Sequence, residues 1–372
     1  MNATMKATLW QRVRIKRADR LIAGAVLASV LLAWLVIVGL DTFINFAKEV
    51  GDIGHGYSLG QAVAYIALTV PRRVYDWFVF AALIGSLLGL GGLGASGELT
   101  ALRASGMSKL RICLSAAGLI LVLMAGVFVL GETAAPAGEQ RAQNIQLTAH
   151  SGKLGNTRSG LWAKDGDTII NAKAALVRVV QGRPSVELAD VRVFGFDDAG
   201  ELISFDWAKT ATQQRGQWVM HGVRSTAISP QGAHSSYARQ RSWKSGLDPQ
   251  VLQLSVVHPE YLSLSDLQRN IDYLHANQQN PGTYANAYWE RALYPLNTLV
   301  LVMCALPFAF GALRSGGLGR RLFIGLLLAI AWYFLQQAVI GMGTVFGVPA
   351  LAANLAPALL LACAATWYFR RA

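Results

Sequence analysis

The sequence predicts an α+β membrane protein: six transmembrane helices with an inserted all-β domain outside the membrane, jelly-roll-like in character. Three observations predict it. Apolar residues gather in runs of about 20, the length that crosses a bilayer. Lys and Arg collect at those ends of the runs that would share one side of the membrane. A long polar segment in the middle has the rhythm of short strands and turns. Composition agrees: of 372 residues, 53% are hydrophobic and 15% charged, and the mean hydropathy is +0.37. A soluble domain is more polar than this.

The first run is Leu21–Leu40, preceded by Arg12, Arg14, Lys16, Arg17 and Arg20. It is too long for a signal peptide, and no small-residue cleavage site follows it. The next apolar stretch, from Leu59 to Ala95, is interrupted at Pro71-Arg72-Arg73. It reads as an interfacial or kinked part followed by a span over Trp77–Gly94. Leu110–Leu130 is the third span, and Tyr288–Leu313, Leu322–Val345 and Val348–Phe369 are the last three. The expected domains are therefore 1–131, with a short helix at 96–106, then 132–282, then 283–372.

With six spans, the N-terminal basic patch, Arg103, Lys109 and Arg111, Arg314, Arg320 and Arg321, and Arg370-Arg371 all fall on one side. That side is cytoplasmic by the positive-inside rule, which places both termini inside and the middle segment outside. The chain's formal charge is +12, yet residues 132–282 hold 15 of its 33 basic and 14 of its 21 acidic residues. The excess is thus a topology signal. It gives no soluble basic face for nucleic acid.

The middle segment reads as all-β. Candidate strands are Thr168–Ala172, Leu176–Val180, Val186–Phe196, Leu202–Trp207, Gln217–Ile228 and Ser235–Trp243. Turn chemistry separates them at Asp165-Gly166-Asp167, Asp197-Asp198-Ala199-Gly200, Arg215-Gly216 and Pro230-Gln231-Gly232. Ser263 then caps a short helix to about His275, with Asp266 in the capping-box position.

Between the second and third spans lies a polar island, Ala95 to Ser108. Leu99, Leu102 and Gly106 recur at helical spacing, Glu98 and Leu102 are four apart, and Gly97 and Gly106 bracket the segment. It reads either as a docking helix or as a solvated loop with a helical turn. Near the other membrane face, Arg72 and Asp76 are four apart. They form either an ion pair or, with Arg73 and with Lys48 at the end of the first span, an anion site facing a cavity.

Several motifs fail on context. Gly89-Leu90-Gly91-Gly92-Leu93-Gly94 fits a dinucleotide fingerprint but follows no strand. Gly85 and Gly89 are better read as a close helix-packing pair. No phosphate-binding P-loop occurs, so the chain should not hydrolyse ATP alone. The six histidines are scattered with no metal-ligand spacing, and no nucleophile elbow is present. The three cysteines lie in apolar runs and read as packing residues. No catalytic residue, cofactor or metal is expected.

Four segments carry a family resemblance. They are Gly97-Glu98-Leu99 through Ala104-Ser105-Gly106; Gly131-Glu132 with Ala135-Pro136 and Gly138-Glu139-Gln140; Gly160-Leu161-Trp162-Ala163-Lys164-Asp165-Gly166; and Arg314-Ser315. In this order, on a six-span layout, the chain resembles the LptF/LptG permease family of the lipopolysaccharide-export ABC transporter. The third segment favours the LptG branch.

The resemblance implies a non-catalytic permease subunit in the bacterial inner membrane. Its implied partners are LptF in a heterodimer, two copies of the LptB ATPase, LptC, lipopolysaccharide and membrane lipids. ATP-driven closure would extract lipopolysaccharide and pass it to a periplasmic bridge. The island becomes the coupling helix, with Glu98, Leu99, Leu102, Arg103 and Gly106 as its ATPase contacts. Lys48, Arg72, Arg73 and Arg141 become the lipopolysaccharide-binding set. Asn45, Gln143 and Gln146 stand where the family often carries Lys or Arg.

Two other classes are weighed against this reading. A membrane-anchored sensor or scaffold with a periplasmic β-domain explains the topology but not the island. An intramembrane lipid enzyme needs a convergent acid/base or metal cluster, which the sequence lacks. The topology is directly testable. A reporter fused after Ser242 should be periplasmic and one after Arg371 cytoplasmic. Cytoplasmic labelling at Ser242 overturns the six-span arrangement.

Overall fold

The computed structural model describes residues 17–51, 53–54, 57–149, 161–180, 183–197, 199–214, 217–230, 232–243, 258–311 and 318–371. Arg12, Arg14, Lys16, Gly160, the Arg215-Gly216 turn, Gln231 and Arg314-Ser315 lie outside them. Among the described residues, five helices are long and apolar enough to span a membrane, and a pair bent by 54° makes six when counted as one span. The inserted β-unit is a six-stranded antiparallel sheet. The α+β membrane class is therefore the observed one.

The helices are α1 (Arg17–Gly51), α2 (Leu59–Asp76), α3 (Phe78–Ala95), α4 (Glu98–Ala104), α5 (Lys109–Glu132), α6 (Ala134–Ala149), α7 (Leu264–Ala276), α8 (Gly282–Ala292), α9 (Tyr294–Gly311), α10 (Leu318–Val345) and α11 (Ala350–Arg371). The chain forms two compact units. One is helical, up to Lys48, Thr69–Ala135 and from Tyr288 onward; the other comprises Glu49–Leu68 and Pro136–Ala287.

In the helical unit, Val26, Val30, Phe78, Leu83, Leu87, Leu90, Ile112, Ile120, Met124, Val302 and Leu306 form one buried cluster. The Gly85/Gly89 pair behaves as read. A Cβ on Gly89 would lie 2.7 Å from the Val26 Cα, and one on Gly85 would run into the Val30 backbone. Only glycine permits α1 and α3 to approach this closely. Trp34 Nε1 ties α1 to the end of α2 by donating to the Val74 carbonyl at 2.9 Å. Asp19 near the start of α1 accepts from Arg111 at 2.9 Å and from Ser115 at 2.6 Å. Further along α1, Leu35 is 72% and Val36 59% exposed, an apolar face of the kind that meets lipid or a partner subunit.

The strands are β1 (Leu161–Asp165), β2 (Thr168–Val180), β3 (Arg183–Phe196), β4 (Leu202–Gln214), β5 (Gln217–Ser229) and β6 (Gly232–Trp243), paired in sequential order. The ladder pairs Ala172 with Val191 and Ala174 with Ala189, stepping over Lys173 and Asp190. It steps over Lys209, Gly222 and Arg239 in the same column. Asp190 has φ 51° and Gly222 φ 64°, left-handed conformations that turn the strand. Inward positions change parity at this crease: Leu188, then Val191 and Val193; Ala208, then Ala211; Met220, then Val223. Both halves of the sheet therefore bury into one core, completed by Ile170, Trp218 and Trp243.

The crease also explains a difference from the sequence reading. Thr168–Ala172 and Leu176–Val180, expected as separate strands, are one strand running through Lys173. β1 was not among the expected strands. The larger correction is α6: residues 134–149, expected in an all-β segment, are helical. Ala134, Ala135, Ala137, Glu139, Gln140, Arg141 and Ala142 are strong helix formers, and they follow α5 with one intervening residue, Thr133.

The expected turns and cap are present where described. Asp197 Oδ1 accepts from the Ala199 and Glu201 amides at 3.0 and 2.8 Å, an Asx turn. Ser263 Oγ accepts from the Asp266 amide at 3.2 Å and starts α7. Tyr273 on α7 donates to the Lys164 carbonyl at 3.0 Å. Burial there pushes its phenol pKa up to about 12.

Candidate functional site: the short helix and the paired charges of the helical unit

The polar island forms helix α4, bounded by Gly97 at φ 83° and Gly106 at φ 92°. At both positions the chain reverses direction through a left-handed conformation that glycine adopts without penalty. Ser96 Oγ donates to Glu98 Oε1 at 3.1 Å across the first bend. The residues expected to act together separate into two sets. Leu99 is fully buried within the core of the spans, and Leu102 packs half-buried against that core. Glu98, Thr100, Ala101, Arg103 and Gly106 are exposed. Leu99 is therefore an anchor rather than a surface contact. It fastens α4 to the buried cluster of the spans.

The basic set also separates. Arg73 is 4% exposed and its Nη1 lies 2.6 Å from Asp41 Oδ2 on α1, with Thr69 Oγ1 at 3.4 Å. Asn45 Nδ2 donates to Asp41 Oδ1 at 3.1 Å and to its carbonyl at 2.8 Å. Asp41 is thus held by a cation on one side and an amide on the other. Arg72 makes the expected pair with Asp76 at 3.4 Å. Lys48 is exposed. In the second unit Arg141 is exposed, and Gln143 donates to the buried Glu139 at 3.4 Å. The Gln146 side chain lies outside the described residues. Among the described residues, no three of His, Cys, Asp and Glu come together as metal ligands.

The sequence reading missed one buried charge cluster. Arg291, 7% exposed, donates from Nε to Glu132 Oε1 at 2.5 Å and from Nη2 to the Gly131 carbonyl. Its guanidinium sits 4.9 Å from the Tyr75 ring centroid. Tyr75 stacks on Tyr294 at 4.5 Å, and Tyr294 donates to the Tyr75 carbonyl at 2.7 Å. The signal was available: Arg291 and Asp41 are each an ionisable residue set against an apolar run, and such residues have named partners.

Comparison with known proteins settles the family. The family described as lipopolysaccharide export system permease LptF/LptG matches residues 20–371. The chain is 31% identical over 358 residues to the LptG lipopolysaccharide export permease protein of Escherichia coli K12, covering 95% of this chain and 98% of that protein. It is 28% identical over 361 residues to LptG of Haemophilus influenzae, covering 96% and 99%. The chain belongs to the LptF/LptG family. The family's named function makes it a multi-pass permease subunit.

The LptF/LptG segments noted in the sequence have physical roles here. Gly131 lacks a Cβ because the Tyr75 ring occupies that space, and Gly138 lacks one because the Leu68 carbonyl does. Glu132 is the partner of Arg291.

The Arg73–Asp41 geometry yields a stability prediction. Asp41→Ala leaves Arg73 buried and uncompensated, and should cost on the order of 3 kcal/mol, as breaking buried pairs does. Asp76→Ala, which removes only the partly exposed partner of Arg72, should cost less than about 1 kcal/mol. Thermal unfolding of the two variants in detergent measures both. Equal midpoints would show that the Arg73 pair has no structural weight.

Proposed function

We propose that this chain is the LptG-type membrane subunit of an ATP-driven exporter that lifts lipopolysaccharide from the inner membrane and passes it to a periplasmic bridge. One observation carries the mechanism. A short helix that exposes Glu98 and Arg103 is rooted in the buried core of the spans through Leu99. A helix so rooted transmits a push from an attached ATPase to the spans. A loop tethered at its ends only would absorb it.

The remaining parts follow. The chain supplies no P-loop of its own, so hydrolysis falls to two copies of LptB docked on α4 and its counterpart in LptF. The contacts fall on Glu98, Leu102, Arg103 and Gly106, with Leu99 holding the helix in place. The α4 side is cytoplasmic, as are both termini, and the β-unit is periplasmic, where it continues the path towards LptC. Arg72, Lys48 and Arg141 offer cations to the lipid A phosphates. Charge-assisted hydrogen bonds of this kind contribute about 1.5–3 kcal/mol each. Arg73 joins them only in a state where Asp41 has been released.

Variants in α4 test this reading. Glu98→Lys reverses a charge at the interface, where like-charge juxtaposition costs on the order of several kcal/mol. Leu102→Asp places a charge at the apolar edge of the same contact. Both should lose LptB on purification and lose transport in reconstituted vesicles, while membrane insertion persists. Thr100→Ala, on the exposed side away from Leu99, should transport normally. Full LptB retention and transport by both Glu98→Lys and Leu102→Asp would reduce α4 to a linker.

A further inference from the structure

Three interruptions in the helices lie beside the Arg291 cluster. α2 gives way to α3 at Trp77, α5 to α6 at Thr133, and α8 to α9 at Leu293, where the axis bends by 54°. The cluster takes one residue or more from each: Tyr75, Gly131 and Glu132, Arg291 and Tyr294. Three of the four chain connections leaving the helical unit begin within a turn or two of these residues, at Thr69, Ala135 and Tyr288.

We propose that Arg291 is a positioning residue for export: its guanidinium clamps three helix junctions to one another, so that they move as one block. The proposal rests on the exporter reading for its function, although not for its geometry. The chemistry suits a clamp. A guanidinium is planar, permanently charged and carries donors in a fixed fork. Here the fork engages the Glu132 carboxylate and the Gly131 carbonyl near the end of α5. The flat face rests on an aromatic ring, and that ring is held in turn by Tyr294. Lysine can supply the charge but neither the fork nor the stacking face. Burial makes the arrangement discrete. A buried charge has no solvated alternative nearby, so intermediate separations of the three ends leave it unpaired.

The test uses the full assembly with LptF and LptB. Spin labels at Thr133 and Leu296, both exposed, report the distance between the α5 end and the start of α9. The double variant Arg291→Met with Glu132→Gln removes the clamp and leaves no buried unpaired charge. Its distance distribution should broaden. Lipopolysaccharide exported per ATP should fall about tenfold, within what coupling residues carry, with LptB retained and ATP still hydrolysed. Arg291→Lys should be intermediate in both readouts, and it carries the comparison alone should the double variant fail to assemble. Unchanged width together with unchanged export per ATP would overturn the proposal and leave ordinary packing. If the parent assembly exports no lipopolysaccharide, the exporter reading fails, while the label distances still decide the clamp.

Discussion

A bilayer gives no water to a charge or an open backbone group, and the helical unit is arranged around that constraint. Arg73 is seated on Asp41 and Arg291 on Glu132 and the Gly131 carbonyl. Each pair joins elements distant in sequence: α1 to α2, and α5 to α8. Charges in this unit therefore serve as crosslinks. The packing depends on them, because lipid tails are as apolar as the side chains and supply little drive for helix association. The glycine-permitted approach of α1 and α3 adds van der Waals contact where no charge is available.

This constraint shapes the functional reading. A residue chosen from sequence as a phosphate ligand, Arg73, is already satisfied within the chain. Its neighbour Arg72 holds its charge near the rim, on the partly exposed Asp76. The short helix α4 follows the same division. Leu99 is spent on anchoring, and the polar residues around it remain outside. In the proposed exporter, transmission from ATPase to lipid path would run through two packed groups: α4, fixed to the buried core of the spans by Leu99, and the Arg291 cluster at α5, α2 and α9.

Much of this was legible in the sequence. Apolar runs placed the spans, because bilayer thickness acts on local composition. Gly97 and Gly106 bracketed α4 because only their backbone freedom matters, and Ser263 began α7 because a cap is a local interaction. What was missed is non-local. The partners of Arg73 and Arg291 are far away in sequence, and spacing carries no trace of them. Lys173 looked like a boundary between two strands because the crease exchanges inward and outward positions, which breaks the alternation that marks a strand. α6 was hidden because its polar helix formers follow an apolar span and precede a β-unit. Side-chain periodicity there competes with the composition of its surroundings.

The proposed function couples lipid handling to ATP hydrolysis through this chain. The most direct measurement is the ATPase rate of the assembly purified through this chain, with lipopolysaccharide and with an equal amount of phospholipid. An ATPase should co-purify, and lipopolysaccharide alone should raise its rate. Identical rates in both lipids, or no ATPase retained, would contradict the proposed function and favour a sensor or scaffold.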